Sequence, residues 1–170
     1  MTLSIREACL ADLLQLNQLG YSIYRSHFRH MWISEAEMNE FLDAEYSCST
    51  LEKGLQDSSA SWYMAETSNP IGFAKVTWES IIPDTSISGV LLNKLYLKPT
   101  ETGKNYGKVM FEKIVELAQN RGAKYLWLEV LEKNDRACRF YEKQGMQHIK
   151  DTVLKTNSQE STLKIMGVSL

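Results

Sequence analysis

The sequence predicts an α+β protein in which helices flank a mixed β-sheet of about seven strands. Seven short segments carry the apolar runs or alternation typical of strands, and several others carry helical spacing next to recognisable caps. No repeat, linker or low-complexity tract divides the chain, so residues 1–170 are predicted to form one domain. A chain of this size can bury about two thirds of its unfolded surface without a disulfide or a structural metal.

Composition and charge exclude several classes of protein. The formal net charge of −2 gives no electrostatic basis for binding nucleic acid. No basic segment followed by an apolar run opens the chain, and no window approaches the length of a membrane span, so no membrane partner is expected. The three scattered cysteines, Cys9, Cys48 and Cys138, lack metal spacing and indicate a reducing compartment. We therefore expect a cytoplasmic protein without a metal.

The N-terminal third is predicted to be mainly helical after a first strand over residues 2–8. Helical spacing over residues 10–19 can continue towards Arg25, although Gly20 weakens that continuation. Capping boxes run from Ser34 to Glu37 and from Ser49 to Glu52, and each predicts the start of a helix.

The remaining two thirds alternate strands with two helices. Alternating apolar positions on either side of Ser68-Asn69-Pro70 predict a hairpin, and a polar stretch over residues 156–161 predicts a second one at the end of the chain. Gly122 and Gly145 fit the positions that follow helix ends. The predicted strands are 62–66, 71–78, 90–97, 124–130, 147–154 and 162–168, and the predicted helices are 107–121 and 134–144.

The junction between strand 91–97 and the helix that follows it is the most informative segment. Gly103 and Gly107 lie in this turn, where free backbone N–H groups at a helix N-terminus can bind a diphosphate. Lys104 and Lys108 add positive charge there. Glycines between elements often form only a surface turn, but the position between strand and helix favours phosphate binding.

Further along, the residues resemble those of a known family. The matching segments are Leu95-Tyr96-Leu97, the turn 103–108, Trp127 to Val130, and Asn134 to Met146. In the last segment, the positions that match the family motif include Ala137, Phe140, Tyr141 and Gly145. They resemble the GNAT superfamily of N-acetyltransferases, which move acetyl from acetyl-CoA to an amine. Residues 132–146 look closest to the PaiA-type spermidine/spermine acetyltransferases. The resemblance implies an α/β/α fold with a mostly antiparallel central sheet.

The resemblance also assigns roles to residues. Acetyl-CoA is the implied cosubstrate, and the residues implied to bind it are Leu95, Tyr96, Leu97, Thr102, Gly103, Lys104, Asn105, Tyr106, Gly107, Lys108, Asn134, Asp135, Arg136 and Lys143. Tyr141 shares a helix face with Asn134 at spacing i, i+7, and we interpret it as the acid that protonates the departing thiolate. Each of these residues also has an alternative role. Tyr141 can be a core aromatic, Asn134 a plain helix cap and Lys143 a solvated surface lysine.

The sequence departs from the family pattern in the phosphate loop and in one strand. In the phosphate loop, Thr102 stands where the family has Gln or Arg, and Asn105 stands where it has a glycine. Asparagine nevertheless tolerates the positive φ that the glycine supplies. Asn93 stands at a strand position where many relatives carry a glutamate linked to deprotonation of the amine. Asn93 cannot act as a general base, so another group or water must take that proton.

The acceptor amine is less well specified. Tyr24, His27, Phe28, His30 and Trp32 form a cluster in a region that borders the acceptor groove in the family, where core packing explains most of them. His27 or His30 could accept a proton, and Glu79, Asp84 and Glu129 are carboxylates near strand ends that could hold a cation or relay its proton. The leading hypothesis is direct attack on acetyl-CoA, in a ternary complex, by a small polyamine such as spermidine or spermine. One alternative is an enzyme whose acceptor is a protein N-terminus, a lysine or an antibiotic amine. Another is a non-catalytic CoA-binding module. A homodimer is the default assembly.

Overall fold

The computed structural model describes residues 2–170 and contains one seven-stranded sheet in the order β1-β2-β3-β4-β5-β7-β6. Neighbouring strands run antiparallel except β4 and β5, which are parallel. The strands are β1 Ser4–Glu7, β2 Ala60–Glu66, β3 Pro70–Ile81, β4 Ser88–Leu97, β5 Tyr125–Leu131, β6 Gln147–Lys155 and β7 Glu160–Ser169. The predicted α+β class and the mixed, mostly antiparallel sheet are confirmed.

Five α-helices within residues 2–170 pack on the two faces of this sheet. They are α1 Leu13–Phe28, α2 Glu35–Tyr46, α3 Cys48–Gln56, α4 Tyr106–Asn120 and α5 Asp135–Lys143. Helices α1 to α3 bury their apolar side chains with Trp62, Met64 and Phe73 on one face, which we call the front face. Helices α4 and α5 pack on the opposite face, where Met110, Phe111 and Ile114 join the apolar side chains of the central strands.

The first helix continues through Gly20, where the sequence predicted a weak point. Gly20 is buried, and a Cβ atom at this position would overlap the ring of Tyr46. Tyr46 ends α2 and is itself almost completely buried. The glycine therefore permits close packing of α1 against α2, which offsets its low helix propensity.

The predicted cap of the third helix was wrong by two residues. Ser47 caps α3, since its hydroxyl accepts a hydrogen bond from the Thr50 N–H at 3.3 Å. Ser49 already lies inside the helix. Both serines are compatible with a cap. Because α2 ends at Tyr46, Ser47 is the residue with non-helical backbone before α3.

Strands β4 and β5 separate towards their C-terminal ends. They pair at Val90 with Leu126 and at Leu91 with Trp127. Beyond these positions β4 stays with β3 as far as Leu97, whereas β5 stays with β7 as far as Leu131. The sheet therefore opens in its centre, and we call this wedge between residues 92–97 and 128–131 the strand opening.

No helix in residues 2–170 combines the length and the apolar character needed to cross a bilayer. Over the same residues, no group of three or more histidine, cysteine or acidic side chains is arranged to hold a metal ion.

Candidate active site

The strand opening exposes backbone groups that have no strand partner. The Lys98 N–H donates to the Ile71 carbonyl at 2.8 Å, which makes this a hydrogen-bonded position of the β3–β4 ladder. Because successive residues of an antiparallel strand face opposite edges, Leu95 and Leu97 turn their N–H and C=O groups towards β5. At these residues β5 has already moved away, so an extended ligand can pair with the edge of β4.

A β-bulge marks the start of the opening. Lys75 pairs with Lys94 and Val76 pairs with Leu92, which leaves Asn93 as the extra residue of β4. The Asn93 Oδ1 atom accepts a hydrogen bond from the Thr77 hydroxyl at 2.8 Å. A bulge bends its strand and increases the local twist, and here it accompanies the divergence of β4 from β5.

The turn before α4 has the backbone of an anion site. Gly103 has φ 79°, and Asn105, the cap residue of α4, has φ 69° and ψ 7°. Both lie in the left-handed region, so Asn105 adopts the conformation that the family's glycine would supply. The first hydrogen bond of α4 joins the Val109 N–H to the Asn105 carbonyl, and no side chain caps the helix. The N–H groups of residues 106–108 therefore remain available at the positive end of the helix.

The polar side chains of this turn make local contacts. The Thr102 hydroxyl donates to the Pro99 carbonyl at 2.8 Å, which stabilises the turn. Lys104 forms an ion pair with Glu101 at 3.0 Å, and Lys108 approaches Glu112 at 3.8 Å. Both lysines are more than half exposed, so these pairs are weak and an incoming phosphate can compete for the ammonium groups.

Helix α5 meets the start of α4 beside the opening. A Cβ atom on Gly107 would lie 3.5 Å from the Phe140 ring and 4.0 Å from the Leu97 side chain. The Asn134 side chain accepts a hydrogen bond from the Ala137 N–H at 3.2 Å, so its role as a helix cap is confirmed. The other side chains of α5 proposed to contact the cofactor are exposed: Asp135, Arg136 and Lys143.

Two phenols lie close to this meeting point. The Tyr141 ring packs against Phe140 and Phe111 at centroid distances of 5.2 and 6.0 Å. Burial raises the pKa of Tyr141 well above its usual value. Burial also raises the pKa of Tyr96, and the neighbouring phenols of Tyr24 and Tyr141 add to that rise. Both groups are therefore protonated at neutral pH and can donate hydrogen bonds.

Glu129 is a carboxylate on the β5 side of the strand opening. The last pair between β4 and β5 is Leu91 with Trp127. Glu129 lies two residues beyond this pair on β5, and Asn93 lies two residues beyond it on β4. Partial burial raises the pKa of the Glu129 carboxyl. Glu129 and Asn93 thus flank the start of the opening from opposite strands.

The other polar candidates from the sequence lie in different surroundings. His27 is close to the opening, where its Nε2 atom lies 2.8 Å from the Leu97 carbonyl oxygen. A carbonyl only accepts, so Nε2 carries the proton, and Nδ1 remains free in the neutral ring. His30 and Glu79 are exposed, and Asp84 forms an ion pair with Lys150 at 3.3 Å in the β3–β4 turn.

A small cavity opens on the front face at the wide end of the strand opening. Its volume is about 40 Å³. The residues that line it are Tyr24, Met31, Trp32, Leu131, Lys133, Leu154, Thr156, Gln159, Ser161 and Thr162. The sequence indicated the aromatic part of this wall, but it carried no signal for Gln159, which lies in a polar stretch between two strands.

Comparison with known proteins places this geometry in a family. Residues 21–146 match the model of the acetyltransferase (GNAT) family. An uncharacterized N-acetyltransferase of Mycobacterium tuberculosis is 41% identical over 58 residues, which are 34% of this chain and 37% of that protein. The match thus spans little more than a third of the length of this curated relative.

Solved structures show the same fold over the whole chain. The PaiA N-acetyltransferase of Thermoplasma acidophilum, solved in complex with coenzyme A, has a TM-score of 0.79 at 23% identity and covers 100% of both chains. The ribosomal-protein-S18-alanine N-acetyltransferase of Escherichia coli has a TM-score of 0.72 at 17% identity, and the match covers 99% of this chain and 94% of that one. With a family model matched over most of its length and these shared folds, the chain belongs to the acetyltransferase (GNAT) family.

Proposed function

We propose that the protein transfers acetyl from acetyl-CoA to a primary amine. The observation that carries this proposal is the meeting of the unpaired edge of β4 with the free N–H groups at the start of α4. A diphosphate bound at residues 103–108 would direct the rest of the cofactor along Leu95 and Leu97 towards Tyr141. Helix capping by Asn134 fixes the start of the helix that carries Tyr141.

The amine must lose a proton before it can attack. An alkylamine has a pKa near 10.4, so about one molecule in two thousand is neutral at pH 7. Asn93 cannot take this proton, whereas Glu129 lies at the corresponding position of the neighbouring strand. Its raised pKa makes it a stronger base than an ordinary glutamate. We propose that Glu129 accepts the proton, directly or through water.

Attack on the thioester carbonyl places negative charge on its oxygen. The Leu97 N–H points into the strand opening and has no strand partner, so it can donate to this oxygen. The nearby hydrogen bond from His27 to the Leu97 carbonyl holds this peptide segment in place. The oxyanion is therefore stabilised by a backbone dipole whose orientation is set before the reaction.

Collapse of the tetrahedral intermediate releases the CoA thiolate. An alkylthiol has a pKa near 8.5, so a hydrogen bond or a proton from a nearby group assists departure. Tyr141 is the proposed donor. Its raised pKa keeps it protonated, and a shared hydrogen bond to the sulfur is favoured over complete transfer of the proton.

For the acceptor we propose a polyamine such as spermidine or spermine. This proposal is supported by residues 132–146 and by the fold shared with the PaiA enzyme. The cavity lining contains Lys133 and no carboxylate among the described residues. Glu129, outside this lining, would supply negative charge for a cationic acceptor. The free thiols of Cys9, Cys48 and Cys138 are consistent with the proposed cytoplasmic location.

Turnover measured through the release of free CoA thiol tests the function. The panel contains spermidine, spermine, a simple alkylamine, a short peptide and an aminoglycoside. We expect turnover with the alkylamine and higher kcat/KM with the polyamines. Turnover of other amines, with none for spermidine or spermine, would refute the acceptor proposal. Binding of acetyl-CoA without turnover of any amine would indicate a non-catalytic CoA-binding protein.

A further inference from the structure

Strand β6 forms one edge of the sheet and leaves a row of backbone groups without a strand partner. Within residues 2–170 it pairs with β7 alone. The Thr156 N–H donates to the Gln159 carbonyl at 2.8 Å, which makes this a hydrogen-bonded position of the β6–β7 ladder. Because successive residues of an antiparallel strand face opposite edges, Lys155, Val153 and Asp151 turn their N–H and C=O groups away from β7. The register is regular over these residues, so we call the three of them the β6 edge.

The side chains of the β6 edge are exposed and symmetric in charge. Val153 is an uncovered apolar side chain, 54% exposed. Asp151 precedes it by two residues and Lys155 follows it by two, and both are exposed. One oxygen of the Asp151 carboxylate lies 2.6 Å from the His148 Nε2 atom, and the other is available for a second partner. Opposite charges thus stand at equal distances on either side of an apolar centre.

Strand β7 shows how these charges are matched inside the chain. Asp151 pairs with Lys164, and Lys155 pairs with Glu160. Directly opposite residues of an antiparallel pair share a face, and opposite charges there stabilise the pairing. The sign of the charge therefore alternates from β7 to β6. On the free side of β6 the alternation continues when Asp151 meets a base and Lys155 meets an acid.

We propose that two copies of this chain pair through their β6 edges, antiparallel, about a two-fold axis at Val153. This pairing places Asp151 of each copy opposite Lys155 of the other, and Val153 opposite its own counterpart. The outward N–H and C=O groups then hydrogen-bond across the axis, and the two sheets become one. Charges on an edge strand often prevent association. Here their order makes the edge complementary to itself.

The charges also select the register of the pairing. An axis two residues away would place Asp151 opposite Asp151, or Lys155 opposite Lys155, and like charges directly opposite are destabilising. An axis one residue away would place a charged side chain opposite Val153. The register centred on Val153 is the one that joins opposite charges and covers the apolar side chain.

Charge reversal tests the proposal, with sedimentation velocity at increasing protein concentration as the measurement. The wild type should form a dimer. Asp151→Lys and Lys155→Asp each place like charges opposite one another at both ends of the pairing, so each should raise the dimer dissociation constant at least about tenfold. An equimolar mixture of the two variants should restore the dimer, because every charged pair between the two different variants again joins opposite signs.

The matched controls are Lys113→Asp and Glu116→Lys, which make the same changes of charge in an ion pair on the surface of α4. They should leave the dissociation constant unchanged. Thermal unfolding of each variant checks that the fold is retained. If a reversal prevents folding, Asp151→Asn and Lys155→Gln replace it and should each weaken the dimer about threefold.

Three results would overturn the inference. One is a wild type that stays monomeric at every concentration, whether its β6 edge then binds a segment of another protein or water alone. The others are a dimer that no change in the β6 edge weakens, and folded reversal variants that remain monomeric when mixed. None of these measurements requires turnover, so the inference is independent of the proposed acetyl transfer.

Discussion

Replacing Asn105 by valine tests whether the turn before α4 binds the phosphates of the cofactor. Asn105 has φ 69°, in a region that costs a residue with a Cβ atom about 1–2 kcal/mol. Asparagine tolerates this region better than most residues, whereas a β-branched side chain is a genuine outlier there. We expect valine to move the free turn away from the left-handed conformation, so that binding has to restore it.

The expected loss of affinity follows from that cost. Since each 1.4 kcal/mol is tenfold in affinity, a penalty of about 1–2 kcal/mol weakens acetyl-CoA binding about 5- to 30-fold. Asn105→Gly removes the Cβ atom and should bind at least as tightly as the wild type. Titration calorimetry with acetyl-CoA measures both variants.

Asp84 provides the control, because it is the other non-glycine residue with positive φ among residues 2–170, at 59°. It lies in the β3–β4 turn and pairs with Lys150 rather than with the proposed cofactor site. Asp84→Val should lower the free energy of unfolding and leave acetyl-CoA affinity unchanged. Equal losses of affinity in the two variants, or none in Asn105→Val, would refute the assignment of the phosphate site.

Three further changes test separate parts of the structure. Tyr141→Phe should lower kcat about ten- to ten-thousand-fold with little change in acetyl-CoA affinity, and unaltered turnover would reassign the donor to water. Wild-type kcat/KM should rise with pH as Glu129 loses its proton. The midpoint of this rise should lie above the pKa of an ordinary glutamate. Glu129→Gln should lower kcat/KM about a hundredfold and remove this limb of the pH profile. Gly20→Ala gains up to about 1 kcal/mol of helix propensity but overpacks Tyr46 at about 1–3 kcal/mol. Chemical denaturation should therefore show a net loss of stability, and Tyr46→Leu should relieve it.

Local patterns in the chain were sufficient for most of the secondary structure. Helix α4 was predicted at 107–121 and runs from Tyr106 to Asn120, because its apolar spacing and the glycine that follows it are signals within one stretch of chain. The left-handed backbone at Asn105 was also anticipated, since asparagine is one of the few side chains that tolerates it. The serine that caps α3 was misplaced because two serines offered the same local chemistry.

Contacts between distant segments were outside the reach of those patterns. The position of Glu129 across the strand opening from Asn93 depends on the parallel pairing of β4 with β5 and on the bulge that follows it. The hydrogen bonds from Gln159 to Met31 and from His27 to Leu97 join segments that no periodicity relates. Periodicity and caps report the conformation of neighbouring residues, so they predicted the strands, the helices and the turn before α4. The strand opening and the placement of Glu129 on its β5 side arise from register and packing between elements, which exist only in the folded chain.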